Sequence, residues 1–92
     1  MSGPTGLTVD DARHLIGTAV RRIVPDADVE GLDPDADLRA AFELDSLDFL
    51  GLVELLAQAS GVRIDEEDYP ELRTLDSAAA FLAGRAARTG QG

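Results

Sequence analysis

The stretch Leu44-Asp45-Ser46-Leu47-Asp48-Phe49-Leu50 decides how this chain is read. Asp45 is a favourable helix N-cap, and Asp48, three residues on, can complete a reciprocal capping box. The spacing predicts a helix from about Ser46 to Ser60, closed by Gly61. The plain reading of Ser46 is that it merely helps the cap, as serine often does. With Asp45 and Asp48 already filling that role, the Ser46 hydroxyl is free to point outward. A phosphodiester placed on it would sit at the positive end of the helix dipole, near unpaired backbone N–H groups. The position suits a serine used for attachment.

The same helix carries two stripes. Phe49, Leu52, Val53 and Leu56 fall on one side at helical spacing, and Leu47, Leu50 and Glu54 on another. Either both are core, or one is buried and the other is offered to a partner. Gly51, in mid-helix, costs about 1 kcal/mol relative to alanine. Close packing against a neighbouring helix would explain it, and so would room for a partner to approach.

Working outward, Thr8 reads as the N-cap of a first helix, with Asp10 and Asp11 where the dipole favours acids. Ala12, Leu15, Ile16, Ala19, Val20 and Ile23 recur at three- and four-residue steps and mark its buried face. Arg21 and Arg22 occupy the last turn, and Pro25 stops the helix. Residues 25–44 form a long connection, pinned by Leu32, Leu38, Ala40, Ala41 and Phe42, with room for one short helical turn. Beyond Gly61, Val62-Arg63-Ile64 is too short for a strand of consequence. Asp65 to Asp68 can start a single turn, limited by Tyr69-Pro70. Thr74 caps a last helix, about residues 75–88, with Leu75, Ala78, Ala79, Leu82 and Ala86 facing inward. Residues 1–7 read as a mobile N-terminus, 8–88 as one domain and 89–92 as a fraying tail.

Composition sets the outer limits. Ninety-two residues make one domain with a small core. An apolar share of 45% argues against disorder, and the shortage of aromatic residues suits packed helices better than a sheet. The formal charge is −10, concentrated around the serine: −6 over residues 26–37 and −8 over residues 43–71. Such a field repels nucleic acid and anionic membrane, and attracts basic protein surfaces. The absence of cysteine removes disulfides and thiolate metal sites. No apolar run approaches a membrane span, and no basic region followed by an apolar one marks a leader. The expectation is a soluble, cytoplasmic monomer.

Other chemistry is thin. Asp33-Pro34-Asp35-Ala36-Asp37 starts like a calcium loop, but the glycine and glutamate required later are Leu38 and Leu44. His14, the only histidine, falls on the polar side of the first helix with no ligand set beside it. Ser46 has no base or oxyanion hole in view, which argues against an enzyme nucleophile. The acids at 65–68 read as a solvated first turn.

Asp45-Ser46-Leu47-Asp48, an apolar helix, Gly61-Val62-Arg63-Ile64, an acidic turn, Leu72 and Thr74-Leu75 before a last helix together resemble the acyl carrier proteins. The resemblance covers about residues 8–85. It implies an all-α bundle of three main helices plus one short helix, with a long first loop. It implies that Ser46 carries covalent 4′-phosphopantetheine, installed from coenzyme A by a phosphopantetheinyl transferase. The arm's thiol would hold acyl intermediates as thioesters for fatty acid, polyketide or related specialised biosynthesis, and the chain itself would not be catalytic. Asp45, Leu47, Asp48, Leu50 and Glu54 become the face that docks basic surfaces of loading and transferring enzymes.

There are departures. Gly51, Ala57 and Gln58 stand where members serving fatty acid synthesis often have glutamate, Phe49 is bulky where a small or polar residue is usual, and Tyr69-Pro70 interrupts the short third helix. These favour a dedicated pathway. A peptidyl or aminoacyl carrier and an unmodified acidic adaptor remain as alternatives.

Overall fold

Thr8 starts the first helix by a reciprocal box: its hydroxyl accepts from the Asp11 N–H at 3.0 Å, and the Asp11 carboxylate accepts from the Thr8 N–H. The computed structural model describes residues 7–90, and in it four α-helices follow in order. They are α1 (Val9–Ile23), α2 (Leu38–Ala41), α3 (Ser46–Ser60) and α4 (Leu75–Gly90), with a 3-10 helix, Glu66–Leu72, between α3 and α4. No strand occurs among the described residues; a single antiparallel bridge links Asp37 and Thr74.

The long helices share one core. α1 packs against both α3 and α4, and the 3-10 helix closes against α4. Ile16 and Val20 of α1, Leu52 and Leu56 of α3, and Ala78, Ala79 and Leu82 of α4 are fully buried. Each large aliphatic side chain so placed contributes about 1.5–3 kcal/mol relative to exposure. All five residues expected to face inward on α4 do so. The helix runs past residue 88 to Gly90, because its second half is mostly alanine and arginine, strong helix formers, with no proline to stop it. Before α1, Leu7 packs on the core, whereas residues 1–6, 91 and 92, in the segments expected to be mobile, lie outside the described residues.

The loop between α1 and α3 is held from both sides. Ala27, Val29, Leu38 and Leu44 are buried, while Ala40 and Ala41, expected as anchors, are exposed. Three acids of this segment satisfy its own backbone. Asp28 accepts from the Gly31 N–H, Asp33 from Asp35, and Asp37 from Arg39 and Ala40, starting the turn of α2. The Leu38 N–H donates to the Arg73 carbonyl at 2.8 Å, and the Asp76 N–H to the Pro34 carbonyl at 3.1 Å. These bonds tie the loop to the start of α4, where the Thr74 hydroxyl accepts from the Ser77 N–H.

One expectation needs correcting. Tyr69-Pro70 does not limit the turn that begins after Asp65; the 3-10 helix passes through both residues to Leu72. A proline lacks only an N–H, and its fixed φ fits a short helical segment. Leu72, buried in the core, anchors the end, and Asp68 pairs with Arg85 of α4 at 3.3 Å.

Candidate functional site: an exposed serine at the start of α3

The chain reaches Ser46 through a turn that only its context enforces. Phe42 ends α2, and Glu43 follows in the left-handed region at φ 54°. Leu44 is then buried and donates its N–H to the Arg39 carbonyl at 2.9 Å. Leu44 and Phe49 stand one before the cap and four after it, the positions of a hydrophobic staple, and both are buried. With its flanks fixed, Asp45 adopts the extended conformation of an N-cap.

The box predicted there is present. The Asp45 carboxylate accepts from the Asp48 N–H at 2.8 Å, and the Asp48 carboxylate accepts from the Asp45 N–H at 3.4 Å. Ser46 is left exposed, and its hydroxyl makes no hydrogen bond among the described residues. The N–H groups of Ser46 and Leu47 likewise have no protein acceptor there, so the helix presents its positive end around a free hydroxyl. An anionic substituent on this exposed oxygen would lie at the positive end of the helix. The residues present therefore fit a phosphodiester.

The two stripes of α3 separate as expected. Phe49, Leu52, Val53 and Leu56 are buried, while Leu47 is 79% exposed, Leu50 is 45% exposed and Glu54 is exposed. Asp45, Ser46, Leu47, Asp48, Leu50 and Glu54 thus share the outward side of one helix. Gly51 is not explained by tight packing: a methyl group added there would meet only the Ile23 Cδ1, at 3.9 Å. His14 is exposed on α1 and lines a different groove, with Arg13, Gly17 and Arg21. The structure does not bring it to the serine.

Residues beyond α3 also converge on Ser46. An open groove of about 550 Å³ begins at the serine and is lined by Arg39 of α2, by Phe49 and by Tyr69 and Arg73 at the 3-10 helix. The Phe49 and Tyr69 rings meet edge to face at 5.4 Å, and the Arg39 guanidinium lies 5.2 Å from the centre of the Phe49 ring. The bulk of Phe49 was visible in the sequence. That Tyr69 and Arg73 lie beside it was not, since only the closure of the loop onto α4 brings them there.

The family described as phosphopantetheine attachment site matches residues 15–82 of the chain. The chain belongs to that family. Its members are carrier domains that hold 4′-phosphopantetheine covalently. The fold is similar to the solution structure of a protein from Anaplasma phagocytophilum assigned as an acyl carrier protein. That likeness has a TM-score of 0.75 at 25% identity and covers 90% of this chain and 97% of that one. No curated protein matches the chain. No helix among the described residues is long and apolar enough to cross a membrane.

Proposed function

We propose that this carrier domain is an acyl carrier protein whose arm is attached at Ser46. The observation that carries the assignment is the division of labour at the start of α3. Asp45 and Asp48 complete the cap between themselves, so the Ser46 hydroxyl is exposed and unbonded. When attached, 4′-phosphopantetheine supplies the thiol on which acyl groups are held as thioesters. The chain supplies the rest. In the active site of a phosphopantetheinyl transferase its hydroxyl oxygen attacks the pantetheine-bearing phosphorus of coenzyme A, the pyrophosphate P–O bond breaks, adenosine 3′,5′-bisphosphate leaves and the transferase takes the serine proton; the chain's α3 face addresses the partner enzymes. No base near Ser46 is needed, because the transferase provides the catalysis.

Leu47 and Leu50 offer apolar area, while Asp45, Asp48 and Glu54 offer charge to basic docking surfaces. Charge complementarity of this kind speeds encounter more than it tightens the complex, and it fades with salt. Gln58 is exposed and Gly51 and Ala57 are half-buried, so the face carries less negative charge than glutamate at those positions would give it. This supports service to a dedicated biosynthetic pathway. The likeness to an acyl carrier protein over 90% of the chain favours acyl over aminoacyl cargo.

The test is intact-mass analysis after incubation with coenzyme A and a phosphopantetheinyl transferase. One arm should be added to the native chain and none to Ser46→Ala. Native protein that gains no mass with several transferases overturns the assignment.

A further inference from the structure

We propose that Arg39 is a charge filter at the edge of the α3 docking face. It disfavours enzymes whose docking surface is basic throughout, and favours those that set a carboxylate among their basic residues. The inference rests on attachment at Ser46 and docking through α3, and adds which basic surfaces the chain accepts. Three observations carry it.

The first is position. Residues 26–71 hold fifteen acids and two bases, Arg39 and Arg63, so a cation in this stretch is an exception. Arg63 lies beyond the far end of α3 and pairs with Asp65 at 3.2 Å. Arg39 instead lines the same open groove as Ser46 and Leu50, at the edge of the outward stripe of α3. An enzyme that reaches the Ser46 hydroxyl and seats Leu50 therefore meets the Arg39 guanidinium.

The second is availability. Arg39 is exposed and makes no ion pair among the described residues. Arg73, on the same groove, stands 4.0 Å from Asp37, so its charge is partly offset within the chain. Arg39 has the face of Phe49 as its contact, which places a cation without neutralising it.

The third is that the cation is held. Its guanidinium carbon lies 5.2 Å from the centre of the Phe49 ring, and Tyr69 meets that ring edge to face at 5.4 Å. Phe49 is buried, three residues after Ser46, so it fixes where the guanidinium stands relative to the serine. A side chain already held in place loses less freedom when a partner contacts it.

Asp45, Asp48 and Glu54 attract every basic surface alike. Arg39 supplies the repulsive element by which such surfaces are told apart, since selectivity is a difference between affinities. Contacts of this kind act most on encounter and on choice of partner.

The test uses the full chain, coenzyme A and a phosphopantetheinyl transferase on which Glu54→Arg causes a salt-dependent loss, the mark of a basic docking surface. On that enzyme Arg39→Glu should raise kcat/KM by about three- to tenfold, because a repulsion becomes an attraction. Arg39→Gln should raise it by about two- to threefold, and Arg39→Lys should leave it within about 1.5-fold. About 1 M salt should abolish the gains. Arg63→Glu changes net charge as much as Arg39→Glu and should move kcat/KM by less than about twofold. Replacing the transferase's basic residue opposite Arg39 by glutamate, located by double-mutant cycles, should reverse the order and favour the native chain. Arg39 is exposed, and a gain in kcat/KM cannot come from a lost fold. No gain at Arg39→Glu, an equal gain at Arg63→Glu, or an order that no such exchange reverses overturns the filter and leaves attachment standing. If no transferase that adds the arm shows the loss at Glu54→Arg, the docking face and the filter fall together. Absence of the added mass on the native chain overturns attachment and the filter with it.

Discussion

Helices α1 and α3 are the same length, 15 residues each, and begin with the same device, yet they are different objects. In α1 the apolar residues form one stripe: Ala12, Ile16, Ala19 and Val20 are buried, and Asp11, His14, Thr18 and Arg22 face solvent. In α3 burial of Phe49, Leu52, Val53 and Leu56 does the same structural work, and a second apolar stripe remains outside. That stripe adds nothing to the core. At the first helical position α1 has Val9 and α3 has Ser46, each made available because the box behind it satisfies the cap without its help. The difference teaches that the fold accounts for the apolar residues of α1, whereas it leaves Leu47 and Leu50 of α3 unused.

The sharpest way to test this division is to cut the two cores equally. Ile16→Ala and Leu52→Ala each empty a fully buried site and should each cost about 2–5 kcal/mol in urea denaturation. A small domain has only about 5–15 kcal/mol in total, so either loss should move the unfolding midpoint far down. Leu50→Ala, on the outer stripe of α3, should cost far less. A loss at Leu50 approaching that at Leu52 would show that the second stripe is core after all.

The caps come next. Thr8→Ala and Asp45→Ala remove equivalent side-chain acceptors, and each should cost about 1 kcal/mol of stability. Only Asp45→Ala should also lower kcat/KM for a phosphopantetheinyl transferase, because only that cap stands beside Ser46, the residue proposed for attachment. Equal transferase kinetics for the two variants would separate Asp45 from recognition.

Much of this was legible because it is local. Thr8 with Asp11, Asp45 with Asp48 and the stripes of α1, α3 and α4 depend on residues three or four apart, and the structure places them as their spacing implies. The loop was less legible for a physical reason. Ala27 and Val29 are buried although they alternate with the exposed acids Asp26, Asp28 and Glu30, an alternation that carries no helical period. Ala40 and Ala41 are exposed because a helix of one turn buries only Leu38. The extent of the 3-10 helix was set by Leu72 and by the pairing of Asp68 with Arg85, neither of which a turn rule at Tyr69-Pro70 contains. At the site, the serine and its flanks could be read directly. The groove could not, since Arg39 and Arg73 are brought to it by contacts between distant segments, among them the bond between the Leu38 N–H and the Arg73 carbonyl and the Asp37–Thr74 bridge.

Gly51 gives a smaller and opposite effect. A methyl group has room there, so Gly51→Ala should raise stability by up to about 1 kcal/mol, measured as a higher denaturation midpoint. Close packing would have reversed that sign. If the gain in stability comes with slower modification by the transferase, the glycine is kept for the approach of a partner. If modification is unchanged, it has no part in docking.

The smallest effect on the fold should come from Leu47, and it bears most directly on what α3 is for. At 79% exposure its side chain has little burial to lose, and Leu47→Ala should leave stability within about 0.5 kcal/mol. A leucine that becomes buried against an enzyme gains about 1.5–3 kcal/mol, so the same variant should lower transferase kcat/KM by about tenfold. Glu54→Arg should also spare the fold but act through charge, so its loss of kcat/KM should shrink as salt is raised, whereas the loss at Leu47 should persist. A charge effect and an apolar effect on one face, separable by salt and both invisible to denaturation, are what a docking surface requires. A helix whose outer stripe were structural would lose stability at Leu47 and show no salt-dependent kinetics at Glu54.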